Sequence, residues 1–538
     1  MPRAIPTTFD PLWAFVVPWL LFLAAAWIAR RHGATILRAT ERVANHRTAP
    51  LVAGALSALA TVTVWSSLQE PGVVHDEQAY LFQARVFASF RWTGETPPLS
   101  EFFAQPHVLV EPRLAAKYPP GHSIALVPGT WLGLAGLMPV VMAGICGGLV
   151  YSIARTIRDA SFSLLTWGLW TTAPVVLGWQ ASYMSQNTAT LLWLASIWAL
   201  LRWRRDGRAI DLTIVAACVG SMYLTRPLTA IGLAAPMAGY VLGTLRRRAA
   251  WNQLGPVAVV GIAVAIVNLV WHERTMGEWF TSPYAEYSRQ YFPFVRPGFG
   301  VDPTLPTKVV PPEIAWIGDA FRHLHAGHLP AALPAILVER LLALGVILTD
   351  SRIWLAVPFV IGLAASRGVL LFGLASVAFE ILAYLVYPHP SLWVVYYFET
   401  FPVFFAVSAH GLGVIGRTVL GLDSVRVAAS QTLTFVLLTP LLLTNVLNAR
   451  TEKDRWSEFH RRAAAVLATL PATPAVVFVN GPHPMAHDRS LIENTPDYRS
   501  AHLWLVYDRG PENERLLSLT DRAAYRLSTD DWTLRRLR

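Results

Sequence analysis

Three ionisable residues in a row, His75, Asp76 and Glu77, open the segment HDEQAYLFQARVFA. A carboxylate in a partly desolvated pocket can accept the proton of a hydroxyl nucleophile, so Asp76 and Glu77 are candidate general bases. His75 beside Asp76 also leaves room for a divalent ion. Downstream come His107, a possible hydrogen-bond partner for a ligand, and the run KYPPG that begins at Lys117. Arg226 stands against Pro227 at the edge of an apolar run, where a guanidinium is costly unless solvated or paired. Arg226 and Lys117 are therefore candidate cations for an anionic group. Glu399, a carboxylate at membrane depth, is a functional candidate by default and could orient Arg226 or a second substrate. The run RHLHAGH, with His323, His325 and His328, has loosely metal-like spacing but lacks nearby cysteines or clustered carboxylates.

These residues need elements to hold them, and composition says what kind. The chain has 538 residues, 54% hydrophobic and only 14% charged, with 21 Trp; its mean hydropathy is +0.41. A soluble protein carries about 25% charged residues. Runs of the length needed to cross a bilayer recur, so the chain reads as an all-α polytopic membrane bundle of about twelve transmembrane helices. The net charge of +10 could suggest nucleic acid, but the arginines lie in short clusters between apolar runs. That is the positive-inside pattern, so no nucleic-acid partner is expected. Cys146 and Cys218 both fall in apolar runs, which argues against a disulfide framework.

Threading the apolar runs against the Arg clusters sets a topology. The first run, 12–29, reads as an uncleaved helix entering from outside. Clusters at Arg30–Arg47, Arg155–Arg158, Arg202–Arg208 and Arg246–Arg248 then fall on the cytoplasmic side. Residues 69–133 and 272–351 become large outer loops, with 331–350 read as a helix lying in the outer interface because Glu339 and Arg340 sit in its middle. The apolar and aromatic character of 69–133 predicts packing on the bilayer interface. Residues 1–449 make the membrane domain, and 450–538 a small soluble extracytoplasmic α/β domain with strands AVVFVN and HLWLVY. Both termini and the candidate site then face outward.

The stretch HDEQAYLFQARVFA, the following FFAQPHVLVEPRLAAKYPPGHSIALVPGTWLG and the later VVYYFETFP resemble GT-C fold membrane glycosyltransferases. That group includes the protein O-mannosyltransferases and the lipid A aminoarabinose transferases, and the similarity is greatest to an uncharacterised bacterial subset. Val395 stands where the pattern has an Arg before the Tyr pair. The resemblance implies a GT-C-like bundle with its active site at the outer face of a bacterial plasma membrane. It implies transfer of a sugar from a polyprenyl-phosphate-linked donor to an envelope glycan, lipid or protein acceptor, with inversion. Asp76, with Glu77 beside it, matches the catalytic carboxylate position, and Arg226 and Lys117 would bind the donor phosphate. His107, Tyr118, Tyr183, Tyr397 and Glu399 would contact substrate, sugar rings stacking on the tyrosines.

Two rivals remain at this stage. A flippase of lipid-linked glycans would place ionisable residues through helix middles and show repeat-like halves. A non-catalytic membrane scaffold would bind a partner or glycan through its C-terminal domain.

Overall fold

A computed structural model describes residues 11–480 and 490–538. The first ten residues, whose side of the membrane was an expectation, lie outside the described residues. Helices α1 (Pro11–Ala44) and α2 (Ala49–Val64) precede α3 (His75–Ala88), a hairpin of β1 (Val108–Leu109) and β2 (Ala115–Ala116), and α4 (Gly121–Trp131). The bundle continues through α5 (Leu137–Ile157), α6 (Ala160–Thr171), α7 (Pro174–Gln180), α8 (Gln186–Asp206), α9 (Ala209–Tyr223), α10 (Pro227–Arg248) and α11 (Leu254–Met276). A second extramembrane segment holds α12 (Pro283–Tyr291) and α13 (Pro312–Gly327), followed by α14 (Leu333–Thr349), α15 (Ala356–Ala365), α16 (Gly368–Tyr384), α17 (Phe401–Thr418) and α18 (Ser424–Leu467). The C-terminal unit comprises β3 (Ala475–Val479), β4 (Leu503–Tyr507), α19 (Asn513–Leu517), β5 (Ala523–Leu527) and β6 (Leu534–Arg536).

Seven described helices are long and apolar enough to cross a membrane, or up to nine if each of two bent pairs is one span; α2 and α9 are apolar but shorter. This is the all-α membrane bundle with a small α/β appendage that the composition predicts. Local chemistry sets the helix ends. Asp159 and Asp423 cap α6 and α18 by accepting from backbone amides, and Gly207, at φ +70°, ends α8. Pro174 breaks α6 from α7 with a 64° bend.

The two ends of the bundle differ in character. Arg155 at the end of α5 donates to Asn45 O, and Arg248 at the end of α10 donates to Arg204 O, so the basic turns gather at one end. Arg226 begins α10 and therefore lies at the other end. Residues 331–350 correspond mainly to α14, which by length and composition alone could span. Its buried Arg340 donates to the carbonyls of Tyr384 (2.6 Å) and Tyr387 (2.9 Å), at and just past the end of α16. Beyond the helix, Arg352 donates to Leu169 O and to Thr172 Oγ1, at the end of α6. These bonds tie α14 to helix termini at the Arg226 end of the bundle.

The loop of residues 69–133 is more enclosed than its composition predicts. Phe102 and Phe103 pack not on lipid but against Val476, Phe478, Trp504 and Val506 of the C-terminal sheet. Asn494 completes the join, donating from N to Gln105 Oε1 and from Nδ2 to Phe103 O. The sheet order is β4-β3-β5-β6, with β3 parallel to both neighbours and β6 antiparallel. All five residues of β3 are buried, as a central parallel strand requires. The sequence suggests a last membrane helix to 447 and a separate amphipathic helix from 451. They form one 44-residue helix, α18, because Asn448, Ala449 and Arg450 include no residue that breaks a helix.

Candidate active site

Asp76 sits in the first turn of α3, and the hairpin β1–β2 brings the other loop candidates to it. His107 and Lys117 flank the hairpin and pair directly, Lys117 N donating to His107 O at 3.0 Å. Tyr118 Oη donates to Asp76 Oδ1 at 2.5 Å, and His107 Nε2 lies 3.8 Å from Asp76 Oδ2. Burial and the Asp76 charge hold the Tyr118 phenol well above its ordinary pKa, so it stays a donor. The Asp76 side chain keeps about a third of its surface exposed, enough to meet a substrate hydroxyl.

Lys117 is buried, its Nζ 4.9–5.2 Å from the ring centroids of Tyr118, Tyr284 and Tyr287. An ammonium over tyrosine faces is stabilised by the ring quadrupoles. Burial nevertheless pushes its pKa down to about 8, with the Asp76 carboxylate opposing the shift.

Arg226 is also buried. Its Nε lies 3.3 Å from Glu399 Oε1, and its Nη2 donates to Tyr384 Oη and to Val395 O. A cation thus stands at the Tyr-pair motif even though Val395 replaces the motif's own Arg. Arg226 immediately precedes α10, whose positive dipole end also favours an anion.

Gly121 joins the two cation-bearing segments. Its amide donates to Leu224 O at 2.8 Å. A Cβ there would lie 2.5 Å from Thr225 Oγ1, so only glycine lets KYPPG dock on the turn leading to Arg226.

These groups wall a cavity of about 910 Å³. Asp76, His107, Lys117, Tyr118 and Arg226 all line it, as do Tyr284, Tyr287, Tyr384, Tyr387 and Tyr396. Tyr396 belongs to the Tyr-pair motif, but Tyr284, Tyr287, Tyr384 and Tyr387 gave no sequence signal beyond aromatic richness, because they come from elements far apart in the chain.

The other candidates are buried. Glu77 was expected to share the catalytic role, but it is buried. Its Oε2 accepts from the amides of Val73 (2.7 Å) and Val74 (3.1 Å), and its Oε1 from that of Tyr183 (2.8 Å). It anchors the entry to α3: Glu77 borders the cavity, but its oxygens are taken up by backbone amides, whereas the Asp76 carboxylate stays partly exposed. Tyr183 is buried against Trp65, with its hydroxyl on Glu70 O. Tyr397 bonds His389 Nε2 through its hydroxyl, and its neighbour Tyr396 faces the cavity instead. Glu399 touches the site through Arg226. The His75 ring is buried beside those of His107 and Trp316. Among the described residues no group of three or more His, Cys, Asp or Glu could hold a metal ion. His328 of the RHLHAGH run bonds Leu385 O, and His325 packs on Phe294.

The molecule is thus a multi-pass membrane protein with a deep cavity, lined by tyrosines and cations, at one end of its bundle. Residues 132–271 match the family model of dolichyl-phosphate-mannose-protein mannosyltransferases, a segment that contains Arg226 but not Asp76 or Lys117. Among solved structures, the chain is similar to ArnT from Cupriavidus metallidurans. Against the form bound to undecaprenyl phosphate the identity is 15%, with 85% of this chain and 87% of that one covered and a TM-score of 0.47. Against the apo form the values are 14%, 87%, 91% and 0.49. The archaeal oligosaccharyltransferase AglB from Archaeoglobus fulgidus, in complex with an inhibitory peptide and a dolichol-phosphate, is 13% identical. That match covers 80% of this chain and 62% of AglB, with a TM-score of 0.36. No curated protein matches the chain.

Proposed function

We propose that the protein is a glycosyltransferase that moves a sugar from a polyprenyl-phosphate-linked donor to a cell-envelope acceptor at the extracytoplasmic face of a bacterial plasma membrane. The observation that carries this reading is the meeting, in one cavity, of a partly exposed carboxylate, Asp76, with two buried cations, Lys117 and Arg226. The match of residues 132–271 to a family described by a dolichyl-phosphate-linked sugar supports a donor of this chemistry. Gathering of the basic turns at the opposite end supports an outward-facing site under the positive-inside rule.

The chemistry follows from the groups present. The acceptor hydroxyl oxygen attacks the anomeric carbon while its proton passes to the Asp76 carboxylate. The bond from that carbon to the phosphate oxygen breaks, and its electron pair leaves with polyprenyl phosphate. Phosphate departs as an anion, so the step needs cations at the leaving oxygen rather than an acid, and Lys117 and Arg226 supply them. Tyr118 and His107 hold Asp76 toward the cavity. A single displacement of this kind inverts the anomeric centre.

Binding of undecaprenyl phosphate to the purified full-length protein, followed by native mass spectrometry, tests the donor side. Wild type binds and Arg226→Gln weakens binding by roughly tenfold or more, the loss expected for a charge-assisted contact. Equal binding by both overturns the assignment of Arg226.

A further inference from the structure

Four residues of α18 line the same cavity: Ala449, Glu452, Lys453 and Trp456. Their spacing of three, four and seven residues puts them on one helical face. With Trp179 of α7 and the adjacent Ser182, they form a cavity wall that carries neither donor cation. We propose that this wall is the acceptor subsite and that it binds a saccharide bearing an anionic group, phosphate or carboxylate; the proposal rests on the glycosyltransferase reading above.

Three features support it. The first is a fixed aromatic surface. Trp456 Nε1 donates to Glu452 Oε1 at 2.9 Å, and Arg455 Nη1 donates to the other oxygen of Glu452 at 3.3 Å. The indole is held in place, and with Trp179 it offers flat apolar faces to a sugar ring.

The second is a cation with spare capacity. The Lys453 side chain is 91% buried, its Nζ 4.4 Å from the Trp65 ring centroid and 4.0 Å from Glu70 Oε2. Glu70 Oε2 also accepts from Ser457 Oγ at 3.3 Å. An ammonium has three donors, and one carboxylate at 4.0 Å does not saturate them. A second anion in the cavity would.

The third is position. Inversion places the acceptor across the anomeric carbon from the leaving phosphate, with the base on the acceptor's side. Lys117 and Arg226 fix the phosphate. Val73 and Val74, which lead into the helix of Asp76, also line the cavity, and α18 packs on them through His460 Nε2 and Val73 O at 3.2 Å. The α18 wall therefore adjoins the base while belonging to different elements from the cations.

The test uses the full chain in nanodiscs preloaded with undecaprenyl phosphate, and saturation-transfer NMR with glucose phosphate, glucuronic acid and glucose as probes. The two anionic sugars give signals roughly tenfold stronger than glucose. Trp456→Ala and Lys453→Gln lose them, Trp456→Phe and Lys453→Arg keep them, and all four variants bind undecaprenyl phosphate as wild type does. Equal signals from glucose overturn the anionic requirement, and full signals in Trp456→Ala overturn the subsite. A loss of undecaprenyl phosphate binding in Trp456→Ala assigns this wall to the donor and also overturns the proposal. If wild type fails to bind undecaprenyl phosphate at all, it is the donor reading that falls, a result separate from the saccharide signals.

Discussion

The amide of Gly121 donates to the carbonyl of Leu224 at 2.8 Å, and through this bond the loop carrying Asp76, His107 and Lys117 is fastened to the turn carrying Arg226. The predicted consequence is severe sensitivity to a single methyl. Gly121→Ala forces a Cβ to 2.5 Å from Thr225 Oγ1 and 2.8 Å from Leu224 O, one of them backbone. Overpacking of this kind costs about 1–3 kcal/mol. Thermal unfolding of the purified variant should show a lower Tm, with weaker undecaprenyl phosphate binding at temperatures where it stays folded.

Lys117 predicts an alkaline limit to activity. Its ammonium has a pKa of about 8, lowered by burial and partly restored by Asp76; Tyr118, Tyr284, Tyr287 and His107 are its other titratable neighbours. As pH rises through about 8 the phosphate loses one of its two cations, so transfer declines. The folded state releases this proton more readily than the unfolded chain, whose lysines titrate near 10.4, so Lys117 itself makes folding more favourable over that range. Activity measured against pH should fall while Tm does not, and Lys117→Arg should remove the fall.

Asp76 and Glu77 should separate cleanly. Glu77 accepts from three backbone amides, so Glu77→Gln gives up charge-assisted bonds and costs about 1–3 kcal/mol in stability. Asp76→Asn should leave Tm nearly unchanged. Differential scanning fluorimetry of the two variants distinguishes them.

Glu399→Gln should leave buried Arg226 without its direct salt-bridge partner, with only the more distant buried Glu380 acting on it. Breaking one partner of a buried pair costs about 3–5 kcal/mol. Part of that loss should return in the Glu399→Gln, Arg226→Gln double variant, which removes both charges, and unfolding of the four-member cycle measures it.

Much of this was legible before the fold, for reasons that differ by residue. Arg226 and Glu399 stood out because charge at membrane depth demands a partner, and each is the other's. Asp76 stood out through its motif. Adjacency misled at Glu77: neighbouring residues on a helix point about 100° apart, so one carboxylate stays partly exposed and the other is taken up by backbone amides. The same parity separates Tyr396 from Tyr397. The cage around Lys117 was invisible because Tyr118, Tyr284 and Tyr287 meet only through tertiary packing. Phe102 and Phe103 read as lipid-facing because an apolar residue carries no mark of whether it meets lipid or a second domain. The face of α18 could have been found from the spacing of Ala449, Glu452, Lys453 and Trp456, had the helix not been divided between the membrane and the soluble domain.

The central claim is that Asp76 takes the acceptor's proton. The most direct measurement is the envelope glycan profile of a deletion strain carrying wild type or Asp76→Asn at matched membrane levels, with undecaprenyl phosphate binding checked on both proteins. We predict that wild type restores the missing glycan, whereas Asp76→Asn binds undecaprenyl phosphate normally yet restores almost none, as expected for loss of about 10²- to 10⁴-fold in rate. Full restoration by Asp76→Asn would contradict the account.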